Sequence, residues 1–463
     1  MHFTVFLLLV NSLVFVAVVL FILEARRENE VRAVQRASFL AGVLIICALS
    51  LLFIPFLRIP IAIGFFVFLA YTLLCFVPVA GPQKKATGTQ GFLRKEPTRR
   101  DERDIPFARH RVLTPGTDIY LRYYTEHPER ESQDLARRQK GLLGDPGSID
   151  GCFQPLVAMM KTTFSMPLFL GPHAIADPKD RPFHDLSPEN MTRLVKNYAL
   201  HLGADLVGIC RVNPLWAYSH RGEIHYGNWE DWGQEITDIP TYAVVFCTEM
   251  DKDHVDTAPH TASLAESGAN YAKGAYISTL LAHWFAHMGY RGVAEHNRHY
   301  TLILPPLAVD AGLGEIGRMG YLIAPIFGPR VRIFATLTDM PLIPDHPISL
   351  GVDTFCTHCK KCSHACPSKS IPSEGKTVHN GIEKWKINED TCFEYWSKVG
   401  TDCCVCMAIC PFSRPNTLIH RAVRWCLIHS RLAQLTFPYV DRFLYGNKWR
   451  SKASPSWIPF SKP

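Results

Sequence analysis

Nine of the fifteen cysteines fall between Cys356 and Cys410, and their spacing is the first chemistry the chain offers. The run Cys356-Thr-His-Cys359-Lys-Lys-Cys362-Ser-His-Ala-Cys366-Pro367 has the form C-x2-C-x2-C-x3-C-P. A second run follows, Cys403-Cys404-Val-Cys406-Met-Ala-Ile-Cys410-Pro411, with Cys392 eleven positions before Cys403. Three thiolates on one tight loop can hold three irons of a cubane. The fourth cysteine, carried away before a proline, ligates the other cluster. The spacing therefore assigns Cys356, Cys359, Cys362 and Cys410 to one [4Fe–4S] cluster, and Cys403, Cys406, Cys366 and Cys392 to a second. Cys404 is left over, because adjacent thiols do not easily point at one iron. Structural zinc sites also use C-x2-C pairs but need neither a triple run nor a following Cys-Pro. His358 and His364 read as surface residues rather than ligands. Two such clusters imply single-electron transfer.

The electrons need a destination. Gly312-Leu-Gly314-Glu-Ile-Gly317 matches G-x-G-x-x-G, but the preceding Pro305-Pro306 and Asp310 make no buried strand feeding a tight turn, so a dinucleotide site is not expected. The elements upstream of the cysteines are clearer. Ser187 can cap a helix with Pro188 in its first turn, an apolar face at Met191, Leu194, Val195, Tyr198 and Leu202, and Gly203 as its stop. Strands are expected over Ala204–Val212, Tyr242–Thr248 and Arg332–Leu337, and a helix over Tyr271–Met288. Mixed helices and strands predict an α+β core of roughly 150 residues ahead of the cysteines.

With 463 residues and 47% hydrophobic content the chain can hold several domains. Three apolar runs, Phe3–Leu23, Phe39–Leu57 and Ile59–Ala80, are each long enough to cross a bilayer. The net charge of +7 is concentrated beside them, at Arg26, Arg27, Arg32, Arg36, Lys84, Lys85 and beyond. Such placement reads as membrane topology, and no nucleic-acid partner is expected. Two basic stretches separated by two spans lie on one side, and the positive-inside rule makes that side cytoplasmic. The expected location is therefore the inner (cytoplasmic) membrane, multi-pass, with the catalytic domain facing the cytoplasm and membrane lipid as a partner.

Ala311-Gly-Leu-Gly-Glu-Ile-Gly-Arg318-Met, Phe327-Gly-Pro-Arg330-Val-Arg332, Thr338-Asp-Met-Pro-Leu342, Gly351-Val-Asp-Thr-Phe-Cys356, Thr391-Cys392-Phe-Glu-Tyr-Trp396 and Asp441-Arg-Phe-Leu-Tyr445-Gly occur in that order. From about residue 185 to the end the chain resembles the reductive dehalogenases. The resemblance implies a nitroreductase-like cobalamin-binding domain whose corrinoid takes no lower ligand from the protein, fed by the two clusters. It implies replacement of halogen by hydrogen in an organohalide, with two electrons and one proton. By motif it makes Tyr271, Asn297 and Arg330 the catalytic residues: Tyr271, near the start of a helix, as proton donor, Arg330 beside its phenol, and Asn297 orienting phenol or substrate. Gly312, Gly314 and Arg318 become the cofactor contacts. Trp216, Tyr218, Trp229 and Trp232 are candidates for lining an aryl-halide pocket. A ferredoxin or a quinol-linked reductase is implied as electron donor. The respiratory members resemble exported proteins with a separate anchor, whereas here the anchor is fused to the front.

The expected fold class is thus α+β, with N-terminal transmembrane helices, a nitroreductase-like domain and a two-[4Fe–4S] ferredoxin-like module. The expected divisions are 1–81, a membrane anchor of three helices; 82–184, linker and irregular wrapping; 185–345, the cobalamin-binding catalytic domain; and 346–463, the cluster module and tail. Two other readings stay open on the sequence: a membrane-bound iron–sulfur electron-transfer subunit without its own catalysis, and an epoxyqueuosine-reductase-like enzyme.

Overall fold

The computed structural model describes residues 2–76, 86–149, 151–178 and 186–458. The expected boundaries at 81/82 and 184/185, the end of the third apolar run, and Lys84 and Lys85 lie outside the described residues. The N-terminal helices are α1 (His2–Arg27), α2 (Val31–Phe53) and α3 (Arg58–Phe76). Then come α4 (Pro106–Val112), α5 (Asp118–Glu126), α6 (Pro128–Arg138), α7 (Gln154–Leu170), β1 (Ile175–Ala176), α8 (Pro188–His201), β2 (Leu206–Arg211), β3 (Tyr242–Glu249), α9 (Lys252–Val255), α10 (Thr261–His287), β4 (Gly292–Glu295), α11 (Leu304–Asp310), β5 (Glu315–Ile316), β6 (Leu322–Ile323) and β7 (Val331–Thr338). The remainder is α12 (Val352–Cys359), α13 (Lys361–Ala365), β8 (Thr377–His379), β9 (Ile382–Lys384), α14 (Glu389–Val399), α15 (Val405–Ala408), α16 (Leu418–His429) and α17 (Arg431–Tyr445).

The chain packs as two units. One is Met1–Gln83 with Leu350–Cys359 and Asn416–Lys448; the other is Lys84–Ser349 with Lys360–Pro415 and Trp449–Pro463. In the first unit three helices are long and apolar enough to cross a membrane. Small residues Ala25, Ala33, Ala37 and Ala41 are buried where helices approach closely, while Phe6, Leu13, Phe39 and Phe66 point outward. The sequence reading placed residues 346–463 in one module. Instead α12, α16 and α17 pack with the N-terminal helices. Trp425 stacks on Phe76 with ring centroids 5.8 Å apart. Tyr71 and Thr436 share a hydrogen bond of 2.6 Å. His420 Nε2 meets Glu28 Oε1 at 2.6 Å, both side chains buried. The sequence distance between these partners is what hid the arrangement.

The second unit is built on a five-stranded sheet of order β1-β4-β7-β3-β2 with every neighbouring pair antiparallel. Both faces of β3 are covered, so its sequence is almost continuously apolar. Val244 and Phe246 face α8 and α10 in one core with Val195, Ile209, Ile277, Leu281, Phe285 and Phe334. Ala243, Val245 and Cys247 face the other, with Leu307, Ala308 and Leu337. The α8 cap is as expected, with Ser187 Oγ accepting from the Asn190 amide. Leu194, expected on its buried face, is exposed.

Two expectations change here. Among the described residues the segment 82–184 carries four α-helices. Buried ions help hold α4 and α6: Arg109 pairs with Asp134 at 2.7 Å and Arg137 with Asp134 at 2.9 Å, all three side chains buried, whereas α7 is apolar and buries Leu156, Val157 and Met160. The helix expected from Tyr271 begins ten residues earlier, at Thr261. Its first turns, Thr-Ala-Ser-Leu-Ala-Glu-Ser-Gly-Ala-Asn, are small or polar and largely buried, so no 3.6-residue hydrophobic period marks them. Smallness is what the packing requires. A Cβ at Gly268 would lie 2.4 Å from Thr163 Oγ1 of α7, and one at Gly274 would lie 2.1 Å from the Phe334 ring.

Candidate active site

The cysteine loops carry an internal repeat. In C-x2-C, the residue after the first cysteine bears the positive φ that starts the next short helix: Lys360 (φ 56°) before α13 and Cys404 (φ 55°) before α15. Cys403 is left-handed as well (φ 67°). Non-glycine residues rarely hold this conformation, and its concentration at both loops marks a backbone wound around something the side chains must enclose. Cys366, Cys392, Cys403 and Cys406, the set expected to hold the second cluster, all line one cavity of about 740 Å³ in the second unit, and Cys404 lines it too. Ser368 Oγ lies 3.4 Å from Cys366 Sγ, backed by Ser370 and Thr391. Of the other set, Cys356 and Cys359 lie on α12 in the first unit, and Cys362 and Cys410 belong to the second; all four are buried.

Tyr271 and Asn297 line the same cavity. Tyr271 projects from the middle of α10, held between Phe164 (ring centroids 5.5 Å) and Phe334 (6.2 Å). Its hydroxyl makes no hydrogen bond among the described residues. Asn297 and Arg298 form the tip of a tight turn after β4, closed by paired hydrogen bonds between the backbones of His296 and His299. Glu295, fully buried, anchors that turn by accepting from the Thr301 amide and hydroxyl and the Leu302 amide. Asn297 Oδ1 is buried with no partner.

The arginine beside the phenol is Arg332, not Arg330. Arg332 Cζ lies 4.9 Å from the Tyr271 ring, and its guanidinium donates to Ser267 Oγ (2.6 Å) and Asp402 Oδ2 (2.8 Å). Arg332 shares the α10-facing side of β7 with Phe334 two residues on, which is why it reaches Tyr271. Burial opposes its charge, but Tyr271 and Asp402 hold it above the usual arginine value. Arg330, just before the strand, is absent from the cavity. It donates to the carbonyls of Ser413 (3.0 Å) and Met250 (2.6 Å) and pairs with Glu249 at 2.9 Å. The motif offers two arginines two residues apart, and the sequence alone could not choose between them.

Gly312, Gly314 and Arg318 do not line the cavity either. Cβ atoms at the two glycines would meet His346 O at 2.5 Å and Ile323 O at 2.2 Å, so both serve close backbone packing. Arg318 is buried under Trp385 and donates to the carbonyls of Pro372 and Glu374. The expected pocket aromatics are placed elsewhere as well. Trp216 is buried against Thr89, Tyr218 packs on Tyr300, Trp229 is exposed, and Trp232 lies under Arg103 and Arg122. The aromatic lining of the cavity includes Phe107, Phe164, Tyr300, Tyr321, Phe393 and Trp396. Phe107 and Phe164 come from the segment read as linker, where no motif flagged them.

Residues 355–413 match the family model of the 4Fe-4S dicluster domain. The chain is 34% identical over 301 residues to the tetrachloroethene reductive dehalogenase of Sulfurospirillum multivorans, a match covering 58% of this chain and 59% of that one. It is 32% identical over 281 residues to the enzyme of the same name from Desulfitobacterium hafniense, covering 51% of each. The solved catabolic reductive dehalogenase NpRdhA superposes with a TM-score of 0.62 at 26% identity, over 79% of this chain and 49% of that one. Over rather more than half its length the chain is thus similar to reductive dehalogenases. It spans little more than half the length of these curated relatives. As a reductive dehalogenase homologue it keeps the mixed helix–sheet fold and the dicluster module, and it carries three apolar N-terminal helices that fit a membrane anchor.

Proposed function

We propose that this chain is a reductive dehalogenase that replaces halogen by hydrogen in an organohalide, RX + 2e⁻ + H⁺ → RH + X⁻, at a cobalamin held in the 740 Å³ cavity without a lower ligand from the protein. The observation that carries the reading is that one cavity joins four cluster-type cysteines to a tyrosine–arginine pair. The lining suits a corrinoid. Its apolar wall is interrupted by buried polar atoms with no protein partner, both acceptors (Asn297 Oδ1, Asp402 Oδ1) and donors (Trp396 Nε1, Arg298 Nε, Arg332 Nε). The carboxamide rim of a corrin offers both complements. When bound and reduced, the corrinoid supplies the nucleophilic cobalt that breaks the carbon–halogen bond.

The chain's own residues do the rest. Tyr271 donates the proton, and Arg332 stabilises the phenolate left behind. Asn297, at the tip of its braced turn, orients substrate or phenol. Cys366, Cys392, Cys403 and Cys406 hold the cluster facing the cavity, while Cys356, Cys359, Cys362 and Cys410 hold the other. The domain of the five-stranded sheet is read as nitroreductase-like. The donor is a ferredoxin or a quinol-linked reductase.

The three N-terminal helices are read as a multi-pass anchor in the inner membrane. Arg26, Arg27, Arg32 and Arg36 around the first turn support, by the positive-inside rule, a reading with that turn and the catalytic domain on the cytoplasmic side. Protease added to sealed inside-out membrane vesicles should then digest the second unit, and complete protection would refute the orientation.

Anaerobic, detergent-purified protein should hold about eight irons per chain and about one extractable corrinoid. Eight irons with no corrinoid after reconstitution would sink the dehalogenase reading and leave an electron carrier.

A further inference from the structure

Helix α7 carries one charged residue, Lys161, and no carboxylate. Its 3.6-residue period divides it into three sides. Leu156, Met160 and Pro167 are buried, and Thr163 and Phe164 pack against Gly268 of α10. Lys161, Phe164, Ser165 and Leu168 line the 740 Å³ cavity. The third side is Ala158, Met159, Thr162, Met166 and Phe169, all exposed and none lining that cavity. Phe169 is 69% exposed, as much as Phe66 at 72% on α3, a helix apolar enough to cross a membrane. The hydroxyls of α7 are turned back on its own backbone: Thr162, Thr163 and Ser165 donate to the carbonyls of Ala158, Met160 and Thr162. Ile175, just past the helix, adds another exposed apolar side chain. A helix apolar all round belongs in a core or in lipid, and this side of α7 is in no core.

The rest of the chain says what covers it. The three N-terminal helices fit a membrane anchor, so a bilayer is the apolar surface always at hand. A side without carboxylates, with one lysine at its margin, suits the lipid interface: the apolar side chains enter it and the ammonium stays with the phosphates. We propose that α7 lies in the membrane surface on its Met159, Met166 and Phe169 side, and that the cavity takes apolar organohalides from the lipid. Lys161 and Leu168 stand between this side and the cavity side, and both are exposed while lining the cavity. A neutral haloaromatic concentrates in hydrocarbon, and it passes Leu168 into the apolar lining without first dissolving in water. The inference rests on the dehalogenase reading and adds to it the phase from which the substrate comes.

The full-length holoenzyme, in nanodiscs of phosphatidylethanolamine and phosphatidylglycerol doped with a phospholipid bearing a diazirine near its glycerol, is irradiated and its peptides mapped. Label is expected on Met159, Met166 and Phe169, with α1, α2 and α3 as the internal control. An unlabelled α7 overturns the proposal, whether the disc mass shows two chains, which would give this side to a second copy, or one, which would leave it to a protein partner. Met166→Glu combined with Phe169→Glu should cut the α7 label by about fivefold or more, with iron and corrinoid per chain unchanged. Under reducing conditions the same variant should lose about fivefold or more in kcat/KM for 1,3-dibromobenzene while kcat stays within about twofold. A labelled α7 whose variant keeps native kcat/KM overturns entry from the lipid. Should the double variant not fold, Phe169→Ser alone carries the same comparison. Holoenzyme with a labelled α7 that reduces no organohalide would refute the dehalogenase reading instead and leave α7 its seat in the membrane.

Discussion

A Tyr271→Phe enzyme should retain its clusters and corrinoid and lose about 10²- to 10⁴-fold in dehalogenation rate, the usual worth of a positioned general acid. The ring stays between Phe164 and Phe334, and the hydroxyl removed has no hydrogen-bond partner among the described residues, so folding should be little affected. Tyr276, five residues on, is exposed and absent from the cavity. Single-turnover assays with chemically reduced protein separate this loss from electron delivery. A Tyr271→Phe protein that turns over within threefold of native would remove the phenol from the mechanism.

The second large effect distinguishes the two arginines of the Gly-Pro-Arg-Val-Arg segment. Arg332→Gln removes the cation beside the phenol and takes from buried Asp402 its ion-pair partner, leaving it the Ser267 hydroxyl. A rate loss of about 10²-fold or more is expected, at the low end of what a missing charge stabiliser costs. Arg330→Gln should act on stability instead. It leaves the Met250 and Ser413 carbonyls without their donor at about 1–3 kcal/mol each, while the exposed edge of Glu249 softens the loss of the ion pair. Thermal melts and turnover of the two variants, measured side by side, decide the matter. A stable but inactive Arg330→Gln with an active Arg332→Gln would restore the assignment made from the motif.

The cluster loops were legible because iron–sulfur ligation constrains spacing within a few residues, and the loop backbone repeats with the motif. Tyr271 and Asn297 were placed by motif order and do meet at one cavity. What could not be read were features set by tertiary approach. The buried first turns of α10 use small residues that mimic a loop. Within 82–184, α4 and α6 are held partly by internal ions rather than an apolar stripe. The choice between Arg330 and Arg332 depends on which one has Tyr271 across from it. Gly312 and Gly314 matched a phosphate-binding pattern, yet a carbonyl oxygen lies where each Cβ would be.

The first unit draws on three separated stretches of chain: the N-terminal helices, α12 with two cluster cysteines, and α16–α17. Its membrane helices emerge from the ribosome long before the helices that cover them, and His420 cannot meet Glu28 until synthesis is nearly over. The N-terminal helices are therefore not a detachable leash. Their packing closes late, once the last part of the chain has been made, with the C-terminal helices acting as the clasp.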